Sequence, residues 1–110
     1  MSDHRVEYTF GALAEIEEIY LWIKERAPNA AAKWRDDLIA EVENLGENPL
    51  RHPVAQESEK FSIEIRVMLF RKRRSQLRVY YTVRGSRVVI LTVRRAARRP
   101  LDEVDLPIEE

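Results

Sequence analysis

Between residues 12 and 27 the apolar positions Leu13, Ile16, Tyr20, Ile23 and Ala27 recur at spacings of three and four, the signature of one helical face. Glu15, Glu17 and Glu18 stand near the start of this stretch and Lys24 and Arg26 near its end, an order that complements a helix dipole. Leu21 and Trp22 widen the apolar face. Pro28 stops the helix, and Asn29 suits the N-cap of a second one over about residues 30–45, with the stripe Ala31, Trp34, Leu38, Val42 and Leu45. Gly46 and Asn48-Pro49 end it. The short break between the stripes predicts an antiparallel helical hairpin. Ahead of it, residues 6–10 alternate at period two and read as a short strand that Gly11 interrupts.

After a loop over residues 49–60 the period changes to two. In residues 61–69, Phe61, Ile63, Ile65, Val67 and Leu69 share one face, and Ser62, Glu64, Arg66 and Met68 take the other. Residues 71–76 are too polar for burial and read as a hairpin loop. Leu77, Val79, Tyr81 and Val83 form the next strand's apolar face, with Arg78, Tyr80 and Thr82 opposite. Arg84-Gly85-Ser86 is a turn, and residues 88–93 are apolar enough for a central strand covered on both sides. The order β-α-α-β-β-β predicts an α+β fold, a small, mostly antiparallel sheet with the helical hairpin on one face and the other face partly open. Residues 1–99 form the domain, and residues 100–110 an acidic, flexible tail. On the open face Arg66 and Arg78 are expected to come close, which is unfavourable unless an anion joins them.

Charge adds a partition that the total conceals. The 19 basic and 19 acidic side chains of the 110-residue chain cancel. Residues 1–60 hold 7 basic and 13 acidic groups, residues 61–99 hold 12 basic and one acidic (Glu64), and residues 100–110 hold five acidic and no basic ones. A strongly basic stretch on an otherwise acidic chain points to an anionic partner, nucleic acid or acidic protein. Arg94, Arg95, Arg98 and Arg99, four arginines in six positions after an apolar strand, are the strongest functional patch in it.

Other chemistry recedes. Cysteine is absent, which removes disulfides and thiol catalysis and fits a reducing cytoplasm. His4 and His52 stand in no metal-ligand spacing, so no metal or cofactor is expected, and no apolar run reaches the ~20 residues of a membrane helix. The N-terminus shows no signal-like apolar region. Together these features suggest a soluble cytoplasmic protein.

Four pieces now resemble the RelE/ParE superfamily of type II toxin–antitoxin toxins: the opening strand running into residues 12–23, residues 30–34 leading to Leu45-Gly46-Glu47-Asn48-Pro49, Ile65-Arg66 with Leu77-Arg78-Val79-Tyr80-Tyr81, and residues 89–95. The resemblance spans about residues 5–99. It implies a toxin neutralised by a cognate antitoxin, in a homodimer or a heterotetramer with that antitoxin, and of the plasmid stabilisation type. It leaves the target open. ParE-like members poison DNA gyrase, whereas RelE-like members cleave ribosome-bound mRNA.

Metal-free RNA cleavage needs groups that move a proton and stabilise the phosphorane. Among RelE-like toxins basic strand residues and a late Tyr or His serve, so Arg66, Arg78 and Arg95 are the candidates here. Yet no Tyr or His follows Tyr81, and Arg95 stands where many relatives place a histidine. Arginine stays protonated and is a poor proton shuttle. This chain therefore looks more ParE-like, a gyrase inhibitor rather than an enzyme. The alternatives are a RelE-like endoribonuclease and an inactive member that retains only antitoxin or nucleic-acid binding. Candidate target- or antitoxin-binding residues are Arg66, Arg78, Tyr80, Arg94, Arg95, Arg98 and Arg99. Trp22 and Trp34 read as core or partner-interface anchors, and Tyr81 as core.

Overall fold

The computed structural model describes residues 3–72, 75–96, 101, 105 and 106. The chain runs β1 (Arg5–Tyr8), α1 (Phe10–Arg26), α2 (Pro28–Glu43), 3₁₀ turns at Asn44–Gly46, Pro49–Arg51 and Gln56–Lys60, then β2 (Arg66–Lys72), β3 (Ser75–Arg84) and β4 (Arg87–Arg95). The sheet order is β1-β4-β3-β2, with β1 parallel to β4 and the other pairs antiparallel. This is the expected α+β order. The parallel pair needs a long crossover, which the helices and the β2–β3 hairpin supply.

The helices begin earlier than the sequence pattern suggests. Thr9 has extended backbone and its hydroxyl accepts from Ala12 N at 3.0 Å, so α1 starts at Phe10 and Gly11 lies inside it. Pro28 opens α2 rather than ending α1, because a proline in the first helical turn gives up no helical hydrogen bond. The α2 stripe is as expected: Ala31, Trp34, Leu38 and Val42 are buried, with Leu45 just beyond them. In α1 Ala12 and Ile16 are buried against the sheet and Ile19, Tyr20 and Ile23 pack partly, whereas Leu13 remains 47% exposed.

Polar contacts lock α1 onto β4. The Thr9 hydroxyl also donates to Leu91 O at 3.1 Å. The Glu15 carboxylate accepts from the Thr92 hydroxyl at 2.7 Å and from Val93 N at 3.1 Å. These bonds cluster where the β3–β4 register slips between Tyr80 and Tyr81, a slip that leaves Leu91 outside the Cα pairing. At the β3–β4 turn Arg84 pairs with Arg87, and Gly85 takes a positive φ of 57° that side chains disfavour.

The strand expected at residues 61–69 is displaced to Arg66–Lys72, and its faces are reversed. Val67, Met68, Leu69 and Phe70 are all apolar, so alternation alone cannot set the phase. Burial does: Met68 and Phe70, 3% and 1% exposed, join the helix-side core, and Val67 turns to the other face. Residues 61–65 are drawn out of the strand by the Ser58 hydroxyl, which accepts from Ile65 N at 2.8 Å. The expected loop at 71–76 also shortens, because β2 runs to Lys72 and β3 starts at Ser75; Arg73 and Arg74 lie outside the described residues.

The second face of the sheet is not simply open. Ala55, Ile65, Tyr80 and Leu101 form a second buried cluster there, flanked by Phe61, Ile63, Val67, Leu91 and Leu106. Leu101, in the segment expected to be flexible tail, is fully buried. Thr9→Ala, which removes both the α1 cap and the bond to Leu91 O, is expected to cost about 1–2 kcal/mol, seen as a lower urea midpoint with an unchanged slope.

Candidate functional site

β3 turns Arg78 and Tyr80 to the second face, opposite Tyr81 and Val79 on the helix side. Residues 53–55 build a wall beside them: Val54 bridges to Arg66, Val67 N donates to Pro53 O at 3.1 Å, and Ala55 N donates to Ile65 O at 2.8 Å. The 3₁₀ turn Gln56–Lys60 then brings in Glu57 and Lys60. Between this wall and the strands lies a groove of about 1050 Å³, lined in part by His52, Val54, Lys60, Leu69, Arg71 and Arg78.

Glu57 organises the floor. Its Oε2 accepts from the Tyr80 hydroxyl at 2.8 Å and from Leu101 N at 3.1 Å, while Lys60 Nζ donates to Leu101 O at 3.3 Å. Burial pushes the Glu57 carboxyl up, but the Tyr80 hydroxyl, the Leu101 amide, its own backbone amide and the Arg78 charge together hold it below the usual carboxylate range. Burial, then the Glu57 contact, raises the Tyr80 phenol.

The close arginine pair is a different one from that expected. Cross-strand partners share a face, and Arg78 faces Arg94, not Arg66. Arg66 faces Tyr81, so it lies on the opposite side of the sheet from Arg78. There its guanidinium donates to Leu50 O at 3.2 Å and His52 O at 2.7 Å and pairs with Glu64 at 3.0 Å. Arg66 is a tie for the loop after α2, aimed away from any phosphate on the second face. Its misplacement follows from the reversed phase of β2.

The anions required by the Arg78–Arg94 pair come from the chain itself. Arg94 meets Asp105 at 3.3 Å, with side chains only 4% and 15% exposed, and Arg78 acts on Glu57. The Arg94–Arg99 stretch is thus no single patch: Arg94 is buried, Arg95 is exposed with its guanidinium 4.3 Å from the Trp22 ring, and Arg98 and Arg99 lie outside the described residues.

Tyr80 is present at the site but not open: 2% of it is exposed, under the loop and Leu101. Tyr81 is core as expected; its hydroxyl donates to Pro49 O, and burial pushes its pKa up to about 12 although Arg66 and Arg51 pull the other way. His52 was set aside in the sequence as a loop residue, yet it lines the groove. Its Nε2 accepts from Arg51 Nε at 3.2 Å, and burial, then Arg51, lowers its pKa. Glu57 and Lys60 were also missed, whereas Asp105 belongs to the acidic tail, for which folding back on the arginines is one reading of the sequence beside solvated disorder. The one signal for Glu57 and Lys60 is their three-residue spacing, which a helical turn puts on one side. No group of three or more metal-ligating side chains occurs among the described residues, and no helix among them is long and apolar enough to cross a membrane.

Comparison with known proteins agrees with this architecture. The family pattern of the ParE toxin of type II toxin–antitoxin systems, parDE, matches residues 6–100. A solved structure of the chromosomal ParDE toxin–antitoxin system from P. aeruginosa is similar in fold, with a TM-score of 0.65 at 21% identity over 84% of this chain and 96% of that one. No curated protein matches the sequence.

Tyr80→Phe removes a hydrogen bond to a carboxylate and is expected to cost about 1.5–3 kcal/mol at neutral pH. Glu57 has a depressed pKa in the fold, so its stabilising contribution is complete above its ordinary value of 4.5 and is lost as pH falls through the lower folded value. The stability gap between wild type and variant should therefore narrow below about pH 4.5 in urea titrations. A gap independent of pH would mean that the hydroxyl acts through packing alone.

Proposed function

The chain belongs to the ParE toxin family of type II toxin–antitoxin systems, and from that premise we propose that it is the toxin of a two-component module, neutralised by a cognate antitoxin and acting on DNA gyrase by direct contact. The observation that favours contact over RNA cleavage is the state of the proton-transfer candidates around the groove. His52 Nε2 already accepts from Arg51, the Tyr80 hydroxyl is committed to Glu57, and Glu57 is held in its charged form. Each is bound into the fold, whereas a general acid or base must reach a substrate atom with its proton free to move.

The groove also suits an antitoxin segment. β2 is an edge strand whose outer side is taken, among the described residues, at its start, by the bridge from Val54 to Arg66 and the bond from Val67 N to Pro53 O. Leu69 and Val54, 44% and 45% exposed, offer apolar contacts, and Lys60, Arg71 and Arg78 give the rim a positive charge. An extended segment that alternates acidic and apolar side chains would pair with such an edge and such a rim.

Inducing the chain in bacteria should cause filamentation and a DNA-damage response, relieved by the antitoxin encoded beside it, and the purified protein should inhibit gyrase supercoiling. Rapid mRNA cleavage at the ribosome with gyrase unaffected would overturn the proposal in favour of a RelE-like ribonuclease. Soluble expression without any phenotype would favour a member that keeps only its binding function.

A further inference from the structure

At the end of α1, Trp22 is 44% exposed although its ring is held in place from two elements. The Arg26 guanidinium lies 4.0 Å from the ring centroid and the Arg95 guanidinium, from the end of β4, lies 4.3 Å from it. Arg26 is further fixed by donating to Trp22 O at 3.0 Å. No carboxylate among the described residues pairs with Arg95. Beside the ring, Leu21 is 50% exposed.

We propose that this Trp22–Arg26–Arg95 surface is the toxin's contact with gyrase, engaging a recess of that enzyme that presents a carboxylate beside apolar side chains. The proposal rests on the gyrase reading above. Three features select this occupant. The stacked Arg95 guanidinium keeps an N–H edge available for bidentate bonds to a carboxylate while the ring supplies apolar area, and Arg26, which donates to Trp22 O and pairs with Glu25 at 3.5 Å, holds the ring in place. Tryptophan and arginine held rigid before binding lose little freedom on contact, and they are the residues in which binding energy concentrates. Glu18 and Glu25, four residues before and three after Trp22, flank it on the helix surface, and they repel a polyanion that must track a row of phosphates. The surface therefore suits a folded acidic protein better than nucleic acid. A ring that is 44% exposed is buried by a recess in a folded partner, which an extended antitoxin segment does not offer.

The test is binding of the full chain to purified gyrase by surface plasmon resonance, with Trp22→Ala, Trp22→Phe and Arg95→Glu beside wild type and thermal melts as a folding control. Trp22→Ala and Arg95→Glu are expected to weaken binding about tenfold or more, and Trp22→Phe much less. If Trp22→Ala fails to fold, Arg95→Glu decides. Wild-type affinity in a folded Arg95→Glu would overturn this surface while leaving the gyrase reading intact. Failure of the wild-type chain to bind gyrase would overturn that reading, and this surface with it.

Discussion

The second face of the sheet depends on one carboxylate. Glu57 collects the Tyr80 hydroxyl and the Leu101 amide on a single oxygen and faces the Arg78 charge. Tyr80 comes from β3, Leu101 from beyond β4, and Glu57 from a 3₁₀ turn, so three distant parts of the chain converge on it. Without this acceptor the phenol O–H and the amide N–H would be buried with no acceptor, at a cost of about 1–3 kcal/mol each. Its presence lets a small sheet bury aromatic side chains on both faces, Tyr81 under the helices and Tyr80 under the loop. It also sets the groove, because the turn that supplies Glu57 supplies Lys60 on the same side.

A second consequence concerns the arginines. Arg78 and Arg94 are opposed across β3 and β4, an arrangement that repels unless countered. The chain counters it with Glu57 and Asp105. A buried ion pair such as Arg94–Asp105 adds little net stability over an apolar pair, but removing one partner strands the other. Its effect is to tie Asp105 to β4, as Glu57 ties Leu101 to the loop on the same face.

The helices were legible because their signals are local. The α2 stripe could be read residue by residue, and only the caps misled, since Thr9 and Pro28 act four and three residues before the apolar stripes start at Leu13 and Ala31. Faces of β3 were legible because Tyr80 and Tyr81 alternate with charged and aliphatic neighbours. β2 was not, because Val67, Met68, Leu69 and Phe70 offer apolar side chains to either face. One wrong phase then carried Arg66 to the wrong side and made it a clamp candidate, whereas it ties backbone carbonyls of Leu50 and His52. Glu57, Lys60 and His52 escaped for another reason. Their position depends on Leu101 and on strand edges far away in sequence, which the local spacing of Glu57 and Lys60 does not encode.

Charge runs mislead in the same way. Arg66, Arg78, Arg94 and Arg95 stand close in sequence terms within one basic block, but each meets a different environment: carbonyl oxygens, Glu57, Asp105 and an indole ring. The block's field is real, and among the described residues Arg95 and the groove rim are two places that present it outward. Those two places differ mechanically. The groove is walled by irregular chain and by an edge strand, which can adjust to an extended segment that orders as it binds. The Trp22 surface stands on a helix and the end of a central strand, already rigid. A partner that folds on contact suits the first, because the wall can follow it. A partner that is rigid before contact suits the second, because neither side then has much freedom left to lose. The proposed function, with an inhibitor that orders on binding and a folded target, calls for both kinds of surface, and this fold carries one on each side of its sheet.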